Sequence, residues 1–168
     1  MQWFDWMTLT IVLGITIIQT IRGTKAGGMG LSMFDAAGLI VAAVAATHLS
    51  DGFAQALHMQ KYVAMIIIFA LLGIGAFILG RWLFGITGWS FQSMDGFFSF
   101  VFGVVAGWTI AHMVLRIIIE SQGATGPVGS AIDNAIIARE IYQFRGWNSI
   151  MRLLFRAKLG PSINPDVG

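Results

Sequence analysis

Four ionisable side chains fall inside long apolar stretches of this sequence: Asp35, His48, His112 and Arg116. An acid in the middle of a membrane helix costs about 2.5–3.5 kcal/mol to insert, so it calls for a partner or a function. Asp35 shares a helix face with Gly38, Ala42 and Ala46, and faces made of small residues are where membrane helices approach closely. It is therefore expected to face protein and to pair with Arg22, Lys25 or a polar group on the fourth apolar segment. A proton or ion relay is the functional alternative. His112 and Arg116, four apart, are neighbours on one helix face, and together with Asp35 they form a candidate intramembrane polar site. Arg116 lies near the end of its segment, where a long cationic side chain ordinarily reaches toward the headgroups. His48 and His112 are also of the type that ligates haem iron between helices, but nothing else in the sequence points to a cofactor.

Other chemistry is missing. No nucleophile–base pair, HExxH, phosphate-binding glycine loop or metal-ligand cluster is visible in the sequence, so neither an enzyme nor a metal site is expected. With no cysteine there are no disulfides and no thiolate metal sites. Gly73, Gly75 and Gly80 lie in apolar sequence, where they are expected to set helix packing rather than to bind phosphate. The net charge of +2 suits anionic lipid headgroups and gives no reason to invoke nucleic acid.

The elements that must position these residues are membrane helices. Hydrophobic residues make up 57% of the chain, charged ones 11%, and mean hydropathy is +0.78; a soluble domain carries about 25% charged residues. Residues 6–21, 36–50, 62–80 and 96–115 carry no Asp, Glu, Lys or Arg. Each run, alone or with its neighbours, approaches the ~20 residues that cross a ~30 Å hydrocarbon layer. We read spans over 3–21, 29–48, 62–79 and 97–119. They do not alternate apolar and polar residues as barrel strands would, so helices must satisfy the backbone. Trp3, Trp6, Tyr62, Trp82 and Trp89 fall near the ends, at headgroup level. The first segment has Asp5 where a signal peptide would be basic and runs into Arg22 and Lys25 without a cleavage site.

The fold class is thus all-α: a four-helix transmembrane domain over 1–120, then a linker and basic amphipathic tail over 121–168. The Gly/Pro/Ser stretch 121–130 reads as linker. Residues 131–158 read as helix, broken near Gly146, with Arg145, Arg152 and Arg156 on one face, lying in the interface or against a partner rather than spanning. With four spans, both ends share one side. Arg139, Arg145, Arg152, Arg156, Lys158 and Lys61 on that side outnumber Arg22, Lys25 and Arg81 opposite, which favours a cytoplasmic tail. The weight of short loops beside the first helix favours the reverse. Both orientations stay open.

Asp95, Ser99, Gly103 and Gly107 recur every four residues and drift by only ~40° per step, forming one ridge. The spacing predicts the tightest helix contact of the protein along this ridge, made on segment one or two, with a homodimer as the competing outcome. His112 lies ~180° around the helix from Gly103, so ridge and polar face should meet different neighbours.

These motifs resemble the colicin V production (CvpA) family over residues 1–120. The family opens helix one with aromatic–x–Asp, as in Trp3 and Asp5. It ends that helix in Arg-Gly and a basic glycine turn, as in Arg22, Gly23, Lys25 and Gly27. Helix three ends in a Gly/Arg boundary leading to a glycine-containing linker, as in Gly80, Arg81 and Gly88. Helix four starts with Asp and small residues at four-residue intervals, as in Asp95, Ser99, Gly103 and Gly107. The chain departs from the pattern at Gly96 and Ala106, where the family carries basic residues. The resemblance implies a multi-pass protein of the bacterial inner membrane, linked to toxin (colicin V) production or export and cell-envelope homeostasis, acting non-enzymatically through membrane partners or as a homo-oligomer. The residues themselves leave two alternatives: a small ion or proton channel or transporter component, and an accessory subunit of a larger membrane complex.

Overall fold

The computed structural model of the protein describes residues 2–91 and 93–144. Arg145, Arg152, Arg156, Lys158 and the expected break at Gly146 lie outside the described residues. The chain forms helices α1 (Trp3–Arg22), α2 (Gly28–Ala56), α3 (Lys61–Thr87), α4 (Asp95–Gln122), α5 (Pro127–Asn134) and α6 (Ile136–Gln143). A π-helical turn, Gly23–Gly27, joins α1 to α2, and there is no strand among the described residues. The helices α1 to α4 are long and apolar enough to cross a membrane. The protein is an all-α, multi-pass membrane bundle.

The spans run longer than hydropathy suggests. Helix α2 has 29 residues and α4 has 28, about 42–44 Å of helix for a ~30 Å hydrocarbon layer. Their polar last turns remain helical in the headgroup region, where a hydropathy reading stops. Local chemistry sets the ends. Gln2 and Asp5 close a capping box at the start of α1. Gly88 ends α3 in the left-handed region (φ 57°), its N–H donating to the Phe84 carbonyl at 2.8 Å. Gly28 has φ 60° where the π-helical turn meets α2, and a side chain there would also strike Ser90 and the Trp89 carbonyl.

The interior is small and polar, and the exterior is large and apolar. Helix α1 buries Asp5, Thr8, Thr16 and Gln19 while exposing Leu13, Ile17, Ile18 and Ile21. The other spans bury chiefly Ala, Gly and Ser against one another, with Leu39, Met65 and Met113 among the few large side chains inside. In water so much exposed apolar surface would drive aggregation. In lipid it costs nothing, and small residues let backbones approach. The threonines are satisfied locally: Thr8 and Thr16 donate to the carbonyls of Phe4 (2.8 Å) and Val12 (2.6 Å), four residues back.

The ridge of α4 lies on α1. A Cβ added at Gly103 would stand 3.0 Å from the Thr16 Cα, and one at Gly107 would stand 2.8 Å from the Val12 carbonyl. Further along the antiparallel contact, Ser99 faces Gly23 and Gly96 faces Thr24. The α2–α3 pairing is at least as broad, with Gly38 against Ala76 and Gly80 against Phe34 and Asp35. Two glycine-bearing helices give α2 and α3 the same freedom to close in.

The tail differs from its sequence reading in where it breaks. Helix α4 continues to Gln122 and α5 starts at Pro127, so the linker is only the turn between them. The helix over 131–158 is interrupted at Ala135, which is extended (φ −78°, ψ 140°). Gly123 (φ 86°) and Pro127 account for the first turn; the Ala135 break follows Asp133 and Asn134, residue types that favour turns. Ile132, Ala135, Ala138 and Ile141 are buried in one cluster with Ala111 and Leu115 of α4, against Phe4, Met7 and Ile11 of α1.

Because Gly107 meets backbone, Gly107→Leu and Gly103→Leu are expected to lower stability in detergent by roughly 2 kcal/mol or more, and Val104→Leu by much less. Gly75 has nothing within 4 Å of an added Cβ, so Gly75→Ala should be neutral or stabilising by up to ~1 kcal/mol. Thermal melts of the four variants in one detergent check this, and equal tolerance at Gly107 and Gly75 would contradict the packing.

Candidate functional site

Asp35 is fully buried (0% exposed) among α1, α2 and α3. Its Oδ2 accepts hydrogen bonds from Gln19 Nε2 at 3.0 Å and from Arg22 Nη1 at 2.9 Å. Gln19 and Arg22 are three apart on α1, hence on one face, and the arginine side chain, 35% exposed, reaches inward from the helix end. Its guanidinium also lies 5.9 Å from the centre of the Phe77 ring. Of the expected partners, Arg22 is the one found; Gln19 was not foreseen. The second carboxylate oxygen lies where a Cβ on Gly80 would be 3.0 Å away. Among the described residues that oxygen, the Gln19 Oε1 and the Ser99 hydroxyl have no hydrogen-bond partner.

Two further carboxylates act as ties. Asp95 begins α4 and accepts from the backbone N–H groups of Met29 (2.9 Å) and Phe91 (2.8 Å) and from the Ser90 hydroxyl. The N–H of Gly30 donates to the Trp89 carbonyl at 3.1 Å. The loop before α4 is thereby laced to the first turn of α2. At the opposite end of the bundle, Asp5 accepts from the N–H groups of Ile137 (2.7 Å) and Ala138 (3.2 Å). These are orphan donors of the first turn of α6, so an acid at the start of the chain caps a helix more than 130 positions away. No sequence signal links Asp5 to Ile137. The aromatic Trp3 beside it is 70% exposed.

His112 and Arg116 lie apart from Asp35. Both line a cavity of about 880 Å³ between α2, α4 and the end of α6, together with His48, Trp108, Glu140 and Phe144. His48 is thirteen residues beyond Asp35 on α2, about 20 Å along the axis. Between the two levels sits an apolar layer of Ala36, Leu39 and Ala106 with Ile15, Phe69 and Phe102. His112 is held by α6. Its Nδ1 stands 3.0 Å from the Ile141 carbonyl, which only accepts, so Nδ1 carries the proton. The ring is stacked on Tyr142 and tilted against Phe144. The ridge and the histidine do meet different neighbours, α1 and α6. Gly27 closes the π-helical turn and Gly23 sits against Ser99, leaving Arg22 placed to reach Asp35. No group of three or more His, Cys, Asp or Glu that could hold a metal ion occurs among the described residues.

Compared with family models, with curated proteins and with solved structures, the chain finds no match.

Asp35→Asn is expected to destabilise the bundle by up to about 3 kcal/mol, the low end for breaking a buried pair, because Arg22 is partly exposed. Adding Arg22→Gln should recover part of that loss, a coupling that a double-mutant cycle on melting in detergent reads directly. Asp5→Ala should cost about 1–2 kcal/mol and strip hydrogen-exchange protection from 136–143 while leaving α2 and α3 protected. If α6 stays protected, the Asp5 cap does not hold it.

Proposed function

We propose that the protein is a non-enzymatic multi-pass protein of the bacterial inner membrane that works by binding membrane partners, in the manner the CvpA resemblance implies: toxin export or envelope maintenance. The observation that carries this is the use made of the buried acids. Asp5 and Asp95 bridge segments far apart in sequence, and Asp35 ties α2 to α1. The positions behind the resemblance lie at those junctions or beside them: Asp5 against α6, Arg22 on Asp35, Gly23 on Ser99, Gly103 and Gly107 on α1. A pattern of that kind maintains a scaffold, whose outer faces are left for binding.

The separation of Asp35 from His112 and Arg116 weighs against a proton or ion pathway. A relay needs groups within hydrogen-bond reach or a hydrated path, and an apolar layer lies between these.

Purified protein reconstituted into liposomes is expected to pass protons no faster than protein-free liposomes. Extraction in mild detergent at native expression should retain a stoichiometric membrane protein, seen by mass spectrometry. Proton flux that falls with Asp35→Asn would overturn the scaffold reading in favour of a transporter. Purification as a lone chain, without flux, would remove the partner.

A further inference from the structure

The cavity beside His112 is a groove with two unlike halves. Its long walls are apolar: Ile40 and Val44 of α2, and Val104 and Val105 of α4. It opens sideways, since Ile40, Val44 and Val105 are 43%, 53% and 37% exposed on the outer face of the spans. From Val104 to Arg116 it runs twelve residues of α4, about 18 Å, close to the ~15 Å depth of one leaflet of hydrocarbon. At the end nearest the headgroups stand Arg116, His48 and Glu140.

The polar groups are the informative ones. Arg116 makes no ion pair among the described residues, whereas Arg22 and Lys61 do. Glu140 has a partner of its own. A cation at headgroup depth and an apolar trough one leaflet long match an anionic phospholipid: a phosphate for Arg116 and an acyl chain for the valine walls. A second groove, between α2 and α3, is lined by Phe34, Val41, Leu72, Gly75 and their apolar neighbours, with no charged residue, so it has no means of selecting a headgroup.

We propose that the groove between α2 and α4 is a binding site for an anionic phospholipid drawn from the surrounding bilayer, with Arg116 selecting the headgroup. The site is independent of the scaffold reading and would stand without it.

The test uses the full chain purified in detergent with phosphatidylglycerol or phosphatidylcholine of the same acyl chains. Native mass spectrometry is expected to find phosphatidylglycerol retained about tenfold over phosphatidylcholine, the scale of one charge-assisted phosphate contact, with a matching rise in melting temperature. Arg116→Gln should abolish the preference, Arg116→Lys should keep most of it, and Gly75→Leu, which fills the other groove, should leave it unchanged. A photo-crosslinking amino acid in place of Val44 identifies the occupant even if a variant at Arg116 fails to fold. Lipid adducts support the proposal. Cross-links instead to residues 145–168, or to a second copy of the chain, would show that protein fills the groove and overturn it, as would equal retention of the two lipids.

Discussion

Inside hydrocarbon a polar group must find its partner within the protein, because no water is available to supply one. That constraint organises this bundle from end to end. Asp35 would be costly to bury alone, yet Gln19 and Arg22 meet it from α1, fixing the rotation of α1 relative to α2. Asp95 gathers two backbone donors and a hydroxyl that would otherwise be orphaned where a loop meets two helix starts. Asp5 does the same for the first turn of α6. Asp5 and Asp95 sit in the first turns of their helices, where the insertion cost is lowest, and Asp35, two turns into α2, is paired instead.

Between these polar ties the helices are held by shape. Lipid tails solvate leucine as well as another helix does, so association depends on close backbone contact and on small residues that allow it. Gly103 and Gly107 bring α4 onto Thr16 and Val12 of α1, and Gly38 and Gly80 bring α2 and α3 together. The threonines on the buried face of α1 turn their hydroxyls back to their own helix, so they pack almost as alanine-sized apolar residues would. Large side chains are displaced to the outside, where they meet acyl chains.

The consequence for function is a division of labour between the two ends. The end holding Asp35, Asp95 and the loop before α4 is laced by several cross-links, and the groove beside it, between α2 and α3, is lined without a charged residue. The other end is built differently. There α6 is capped by Asp5 and lies across α1 and α4, and α2 and α4 leave between them the groove with His48, His112 and Arg116. The groove proposed to take a lipid headgroup thus lies at the end closed by α5 and α6.

The sequence by itself determined the membrane class, the four spans and the ridge on α4, because these follow from composition and from spacing along one helix. It also placed Asp35 against protein, with Arg22 as a partner, since an acid beside a stripe of small residues has few other options. Span ends ran short because hydropathy falls in the headgroup layer while the helix continues. The grouping of Asp35 with His112 and Arg116 rested on residue type, and axial depth separates them. Only the tertiary structure decided that Asp5 caps α6, that α2 and α3 pair as broadly as α1 and α4, and that His112 and Arg116 face a groove. Each of these depends on a contact between residues distant in sequence, and neither periodicity nor composition along one helix carries information about the surface that helix will meet.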